Sequence, residues 1–294
     1  MADEVATNQA LAILMTRGTV PAKRERTLRA IGIDLGTTNS TVAEASWERA
    51  AIAPVRARCL EIDQQTDEGL YTHVLVPSVV VLDQGKVLVG EGAKRARSRA
   101  GERGLRQNKN LFFDCKNEIG LRRTYHTAPE GFRNATEIAA KVLEFLRSAA
   151  LADNPAVPDR TVVTVPASFQ SAQRRDTLDA SRLAGFDVRA GDLLDEPIAA
   201  FIDFVVSQGA EAFHGVAGRR RVVVFDFGGG TCDVAVLEVQ FGSEKVAPSV
   251  APLAVSRYHR LGGGDIDAAI IYETLLPQLR EQNGLGLFDL SFEE

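Results

Sequence analysis

Two stretches of this sequence repeat each other at long range. Written without gaps, Ile31-Gly-Ile-Asp-Leu-Gly-Thr-Thr-Asn-Ser-Thr-Val-Ala43 lies over Val223-Val-Phe-Asp-Phe-Gly-Gly-Gly-Thr-Cys-Asp-Val-Ala235 at a constant offset of 192 residues. Asp34 matches Asp226, Gly36 matches Gly228 and Val42 matches Val234. A period this long means two similar domains, not a solenoid of short units. Each copy reads as strand, acidic residue, glycine turn, strand. Such a turn lacks the side chains that keep backbone N–H groups away from phosphate oxygens. Thr37, Thr38 and Thr231 add hydroxyl donors. Asp34 and Asp226, at the strand ends, can hold a hydrated magnesium ion, whose hard charge prefers carboxylate and water oxygens. A lone aspartate and glycine turn is more often an ordinary hairpin; its duplication in register argues for two facing loops that clamp a polyphosphate between domains.

Composition sets the remaining bounds. With 294 residues, 45% hydrophobic and 25% charged, the chain has room for one large or two medium domains. A net charge of -5 gives no overall field that would recruit nucleic acid or an anionic membrane. Cys59, Cys115 and Cys232 lie far apart without CxxC spacing and the four histidines are scattered, which suggests neither a disulfide framework nor a zinc site and fits a reducing cytoplasm. The apolar run Ala10 to Met15 does not read as a signal peptide, because Asp3 and Glu4 stand where a positive region belongs and the run is short. Residues 1–29 read as an N-terminal extension, a solvated arm whose basic cluster Lys23, Arg24, Arg26 and Arg29 marks the junction with the fold.

From residue 30 the pattern alternates between β and α. Ala30 to Asp34 and Ser40 to Ala45 read as strands, Glu61 to Gly69 as a polar loop, and Val74 to Leu82 with Lys86 to Val89 as a hairpin turned at Asp83-Gln84-Gly85. The spacing of Ile138, Val142, Phe145, Leu146 and Ala149 predicts a helix over 135–150, with Asn134 and Glu137 at capping-box positions. Thr161 to Val165 reads as a buried strand. Helices follow at Gln170 to Ala184, stopped by Gly185, and at Pro197 to Val206, with proline in the first turn. Arg221 to Asp226 and Cys232 to Val239 are strands, and Asp265 to Gln282 a last helix. This order implies sheets covered by helices.

At these residues the chain resembles a known family. Ile31-Gly-Ile-Asp-Leu-Gly-Thr-Thr-Asn-Ser40 is similar to the first phosphate motif of the DnaK-like seventy-kilodalton heat-shock chaperones, and Phe225-Asp-Phe-Gly-Gly-Gly-Thr-Cys-Asp-Val234 to their second. Val162 to Arg174 resembles the segment before the connecting helix, Asp195-Glu-Pro-Ile-Ala-Ala200 the acidic-proline motif, and Leu261-Gly-Gly-Gly-Asp-Ile-Asp267 the later glycine turn. The resemblance implies an α/β fold of the actin-like ATPase type: two ribonuclease-H-like domains, at 30–215 and 216–294, the second incomplete. It implies ATP or ADP bound with magnesium, potassium being a further candidate ion, by Gly36, Thr37, Thr38, Asn39, Gly228, Gly229, Gly230, Thr231, Gly262 and Gly263. Asp34 and Asp226, with Glu196 through water, would hold the metal. Lys116, in a segment similar to the one whose lysine reaches the γ-phosphate and the attacking water, would act in catalysis with Glu196, Thr231, Asp226 and Asp34. Asp233 would support the second loop, and Pro166 and Arg174 would relay the nucleotide state to the surface.

Departures from the family pattern stand beside the matches. Asp195 replaces an asparagine, Asn117 and Glu118 follow the lysine where basic or apolar residues are usual, and Gly264 replaces a polar residue. Glu118 is expected to compete for the Lys116 ammonium. Lys94 to Lys109 holds seven basic residues against one acidic and, lacking interleaved aromatics, reads as a solvated face, not a nucleic-acid patch. Past the glycine turn the family continues into an adenosine-gripping subdomain, a linker and a client-binding β-sandwich; this sequence has instead a short tail, Asn283 to Glu294, rich in leucine and phenylalanine. The resemblance therefore implies the ATP-binding and ATP-hydrolysing part of a chaperone, C-terminally incomplete, with clients and co-chaperones engaged only by the full-length protein. The alternatives are a nucleotide-switched assembly or binding module of the same superfamily, and a sugar kinase, for which neither a carboxylate base nor a sugar pocket can be placed.

Overall fold

The computed structural model describes residues 27–47, 56–208, 218–240, 249–257 and 259–286. The N-terminal extension up to residue 26 and the end of the apolar tail, 287–294, lie outside the described residues. Strand β1 (Leu28–Asp34) runs antiparallel to β2 (Asn39–Trp47), and β2 to β3 (Arg56–Cys59). A small hairpin of β4 (Ile62–Thr66) and β5 (Gly69–His73) follows, and then β6 (Val76–Pro77), paired to the start of β2. Strand β7 (Val80–Asp83) pairs with β8 (Lys86–Val89), and short helices α1 (Glu91–Arg97) and α2 (Ala100–Arg103) lead to β9 (Leu111–Phe112) on the other edge of β7.

The long helix α3 (Ala135–Asp153) begins as the capping-box spacing requires, with the Glu137 N–H donating to Asn134 Oδ1 at 2.9 Å. It buries Ile138, Val142, Leu143 and Leu146 against the inner face of the first sheet, where Ile31, Ile33, Val42 and Val163 are all at most 2% exposed. Strand β10 (Arg160–Val165) lies parallel to β1, helix α4 (Ser171–Leu183) packs beside α3, and β11 (Leu193–Asp195) adds in parallel to β10. The sheet order is thus β11-β10-β1-β2-β3.

Helix α5 (Glu196–Gln208) leaves the end of β11 and packs Ile198, Phe201 and Val205 on a second sheet of β12 (Arg219–Phe227), β13 (Cys232–Gln240) and β14 (Ser249–Val255). The sequence repeat is also a structural one: Ile33 faces Val42 and Asp34 faces Thr41 in the first pair of strands, just as Phe225 faces Val234 and Asp226 faces Asp233 in the second. The described chain closes with α6 (Gly263–Ile270), a π-helical turn at Ile271–Leu275 and α7 (Leu276–Asn283), so the expected last helix forms with a local expansion in its middle.

Two expectations differ from the structure, and a third holds. The polar stretch 61–69 is not a loop; it forms β4 and the turn into β5, because Gln64, completely buried, donates to the Leu75 carbonyl and accepts from the Glu91 N–H. Strand β1 starts two residues before Ala30, inside the expected extension, and Arg29 is not part of a solvated arm. It is 7% exposed and ion-paired to Glu44, with further bonds to the carbonyls of Ala150 and Ala156. The basic stretch 94–109 is a solvated face as expected, with Lys94, Arg97, Arg99, Arg106 and Lys109 exposed, while Arg95 pairs with Glu91 and Glu68 and Arg103 with Asp67 and Asp83.

Candidate functional site

Parallel strands bring their C-terminal ends to one edge of a sheet, where ligands of open α/β sheets collect. Asp34 ends β1, Thr164 lies beside it near the end of β10, and Glu196 follows the end of β11. Thr164 donates its hydroxyl to Asp34 Oδ1 at 2.9 Å, which fixes the carboxylate in the cleft mouth. The turn after Asp34 is pinned from behind. Ser78 Oγ donates to the Gly36 carbonyl at 2.8 Å, the Ser78 N–H donates to the Thr38 carbonyl at 2.8 Å, and the Gly36 N–H reaches Ser40 Oγ. Asn39 is exposed at the start of β2.

The second loop meets the first. A side chain on Gly229 would collide with the Thr38 hydroxyl, and one on Gly230 would press on the Thr37 methyl and the Asn117 amide at 2.7–2.9 Å. Glycine is required here for close approach, not for an unusual dihedral angle. The loop is closed by the Gly228 N–H on the Thr231 carbonyl at 2.9 Å. The glycine turn before α6 stacks against it, with Gly263 and Gly264 donating to the carbonyls of Gly228 and Gly229, both at 2.9 Å. A side chain on Gly262 would stand 2.5–2.7 Å from backbone atoms of 228–230. Three glycine segments spaced along the chain thus make one surface with both threonines of the first loop.

Lys116 sits on a short 3-10 turn, Cys115–Glu118, below this surface. Its ammonium, 9% exposed, donates to Glu196 Oε1 at 2.7 Å. Burial alone would depress the lysine pKa, but the fields of Glu196, Asp34 and Asp226 outweigh it and hold the pKa above the ordinary value, so the charge is permanent at neutral pH. Glu196 is itself raised, first by burial and then by Asp34 and Asp226, against the lowering effect of Lys116. Asp226 is raised by burial, Asp233 and Asp34. Three carboxylates therefore share one ammonium. Behind them Asp233 is 3% exposed, and its Oδ1 is buried without a hydrogen-bond partner. A pocket this short of positive charge suits a cation. Among the described residues no group of three or more His, Cys, Asp or Glu side chains is placed to ligate a metal.

Glu118 does not compete for Lys116 as expected. It accepts from Arg123 at 2.6 Å and from the Tyr125 hydroxyl at 2.8 Å. Asn117, noted in the sequence only as a departure, lies between the loops with its Oδ1 3.5 Å from Thr37 Oγ1. Neither Thr164 nor Ser78 was singled out in the sequence; Thr164 is revealed by the register of β1 and β10, and Ser78 by its hydrogen bonds to the Gly36 and Thr38 carbonyls. Arg174 donates to Asp195 Oδ1 at 2.6 Å and to the Phe169 carbonyl at 3.0 Å, while Pro166 caps the same turn, its carbonyl accepting from Phe169. Asp195 immediately precedes Glu196, so Arg174 is three links from the Lys116 ammonium, and Pro166 is joined to Arg174 through Phe169.

Duplicated strand pairs, glycine loops in contact and a buried lysine among carboxylates define an actin-like α/β nucleotide-binding fold. A family model described as Hsp70 protein matches residues 30–290. The chain belongs to the Hsp70 family. Membership carries a nucleotide-binding, ATPase-type chaperone domain, and the family binds ATP and ADP, generally with magnesium, and engages clients and co-chaperones. No described helix is long and apolar enough to cross a membrane.

Proposed function

We propose that this chain binds ATP as its magnesium complex between residues 34–38 and 226–231 and hydrolyses it to ADP and phosphate, as the nucleotide-driven part of a DnaK-like chaperone in the cytoplasm. The carrying observation is the Lys116 ammonium held by Glu196 in the fields of Asp34 and Asp226, beneath two glycine loops that touch.

Asp34 and Asp226, with Glu196 through water, are the residues that would hold magnesium, which supplies charge neutralisation on phosphate oxygens. The backbone N–H groups of 37–38 and 229–231 and the hydroxyls of Thr37, Thr38 and Thr231 orient the phosphates, the Gly36 and Gly228 N–H groups being used to hold the loops, and the turn at Gly262 and Gly263 sets the wall behind them. Lys116 offsets charge on the transferring phosphoryl group and orients the attacking water, most of what a protein must do in a loose phosphoryl-transfer transition state. Asp233 supports the second loop, and Pro166 with Arg174 relays the state of Glu196 through Asp195 to the surface of α4. The organisation we propose is an extension that ends before β1 at Leu28, a first lobe from there to about residue 215 and a second lobe from 216.

The test is calorimetry of ATP with and without magnesium on the chain and on Asp34→Asn and Asp226→Asn, followed by phosphate release with and without candidate sugars. Both variants should lose the magnesium-dependent part of the affinity, and phosphate should appear without any sugar. Unchanged titrations in both variants would sink the site; phosphate transfer only to a sugar would make the protein a kinase.

A further inference from the structure

The ion pair of Lys116 and Glu196 joins two side chains from distant parts of the first lobe, and a 2.7 Å bond between them lasts only if both backbones are held at a fixed separation. Glu196 opens α5, a regular helix. Lys116 rides on a four-residue 3-10 turn, a short element whose own hydrogen bonds are too few and too poor in geometry to fix its position. Cys115 anchors one side of the turn in the core, and Glu118 anchors its base through Arg123 and Tyr125. The exit is held by α4. Gly120, at a φ of +85°, donates its N–H to Asp176 Oδ2 at 3.1 Å. A side chain on Gly120 would stand 2.5 Å from Gln173 Cγ and 2.9–3.0 Å from Gln173 backbone atoms, so the chain passes directly against the start of that helix. Gln173 is fixed in turn, its Oε1 accepting from the Gln170 N–H at 2.9 Å.

Gln173 and Asp176, spaced i, i+3, present one stripe of α4 to the segment that carries Lys116. Arg174, between them in sequence, reaches another way, to Asp195 Oδ1 at 2.6 Å. Both members of the ion pair are thus fastened to the same two turns of one helix: Glu196 through Asp195 and Arg174, Lys116 through Gly120 and Asp176. The Asp176 carboxylate is 23% exposed, with Oδ1 3.6 Å from the exposed Arg175 and Oδ2 committed to the turn. We propose that Asp176 is a positioning residue for Lys116: by accepting the Gly120 N–H it fixes the exit of the 3-10 turn, and with it the reach of the ammonium toward the transferring phosphoryl group. Its catalytic sense rests on the hydrolytic role proposed above for Lys116. Displacing a reacting group by about 1 Å costs on the order of a hundredfold in rate, and loss of one anchor among several should cost roughly tenfold.

The experiment compares Asp176→Ala, Asp176→Asn and, on the same helix, Asp179→Ala, which removes an exposed pair with Arg182. Alanine is the strongest helix former, so α4 itself survives the change. Two readouts are taken: the rate at which an amine-acylating reagent labels Lys116 in the ligand-free chain, followed by peptide mass spectrometry, and single-turnover phosphate release with matched ATP titrations. Asp176→Ala should label Lys116 several-fold faster and slow hydrolysis by roughly tenfold, with affinity within about a few-fold of the parent. Asp176→Asn, whose amide oxygen still accepts from Gly120, should recover most of the parental behaviour, and Asp179→Ala should keep it. Unchanged labelling of Lys116 in Asp176→Ala overturns the proposal, as does parental hydrolysis in that variant. So does an Asp176→Asn variant as defective as Asp176→Ala, because the charge and not the acceptor oxygen would then be responsible. A parent chain that releases no phosphate removes the hydrolytic role of Lys116 instead, and the labelling rates still decide whether Asp176 holds that lysine in place.

Discussion

Lys116 and Glu196 are 80 positions apart in the chain yet joined by a 2.7 Å hydrogen bond. A lysine whose ammonium touches only the transferring phosphoryl group and the water contributes more to the transition state than to ground-state binding. Lys116→Ala is therefore expected to leave nucleotide affinity within about a few-fold and to slow single-turnover hydrolysis by roughly a hundredfold or more. Single-turnover phosphate release with matched titrations checks both halves of the statement, and equal rates would reduce Lys116 to a structural ion-pair partner. The residues that carry motifs were legible in the sequence because a glycine turn between two strands is a local object. The partner of Lys116 and the hydroxyl that holds Asp34 were not. They depend on strand register between elements that no local pattern relates, and Thr164 inside Val-Val-Thr-Val reads only as a strand residue.

At the scale of elements, the inner face of the first sheet is fastened at its far edge by one charged cluster. Glu44 on β2 pairs with buried Arg29 on β1 and lies 3.0 Å from Arg58 on β3, and it accepts from Asn154 at the end of α3 at 3.0 Å. Burial would raise its pKa, but the bonds from Arg29, Asn154 and Arg58 win and lower it. A depressed carboxylate stabilises the fold above its unfolded pKa, and that contribution is lost as pH falls through the folded value, so this cluster is one cause of acid unfolding. Glu44→Gln leaves the buried Arg29 guanidinium without a counter-charge, held by the carbonyls of Ala150 and Ala156, and should cost about 3–5 kcal/mol at neutral pH, as loss of one partner from a buried pair does. Urea unfolding at pH 7 and pH 4 measures it, with a smaller difference expected at the lower pH. The longer helices of this fold were legible from periodicity and end signals, whereas the short α1 and α2 were not anticipated. Nor was the hairpin of β4 and β5, because its buried positions include Gln64 and Thr66, polar groups satisfied by Leu75, Glu91 and Gly69 that sequence reading assigns to a loop.

Across the whole molecule, the cleft is a concentration of like charge that the fold sustains without a ligand. Asp226 and Glu196 both have raised pKa values, with burial the first cause in each. The sign is opposite to that of Glu44. A carboxyl group whose folded pKa lies above its unfolded value contributes fully below the unfolded pKa, and stability falls as pH rises from there through the folded pKa. Ligand-free chain should thus lose part of its stability between about pH 4 and neutrality from these two groups, while the Glu44 cluster gains over the lower part of that range. Asp226→Asn removes one charge from the crowd and relieves Asp34 and Asp233, so the ligand-free variant should be more stable than the parent at pH 7 and equal to it near pH 4. Magnesium and ATP should reverse the order. A ligand that binds only the folded state adds roughly 2.7 kcal/mol at a hundred times its Kd, and the variant, lacking one of the carboxylates proposed to hold the metal, should gain far less. Thermal unfolding of parent and Asp226→Asn at pH 4 and pH 7, with and without magnesium ATP, contains the whole comparison. A variant less stable than the parent without ligand at pH 7 would show that Asp226 is a structural residue, and the charge crowding in the cleft would need another explanation.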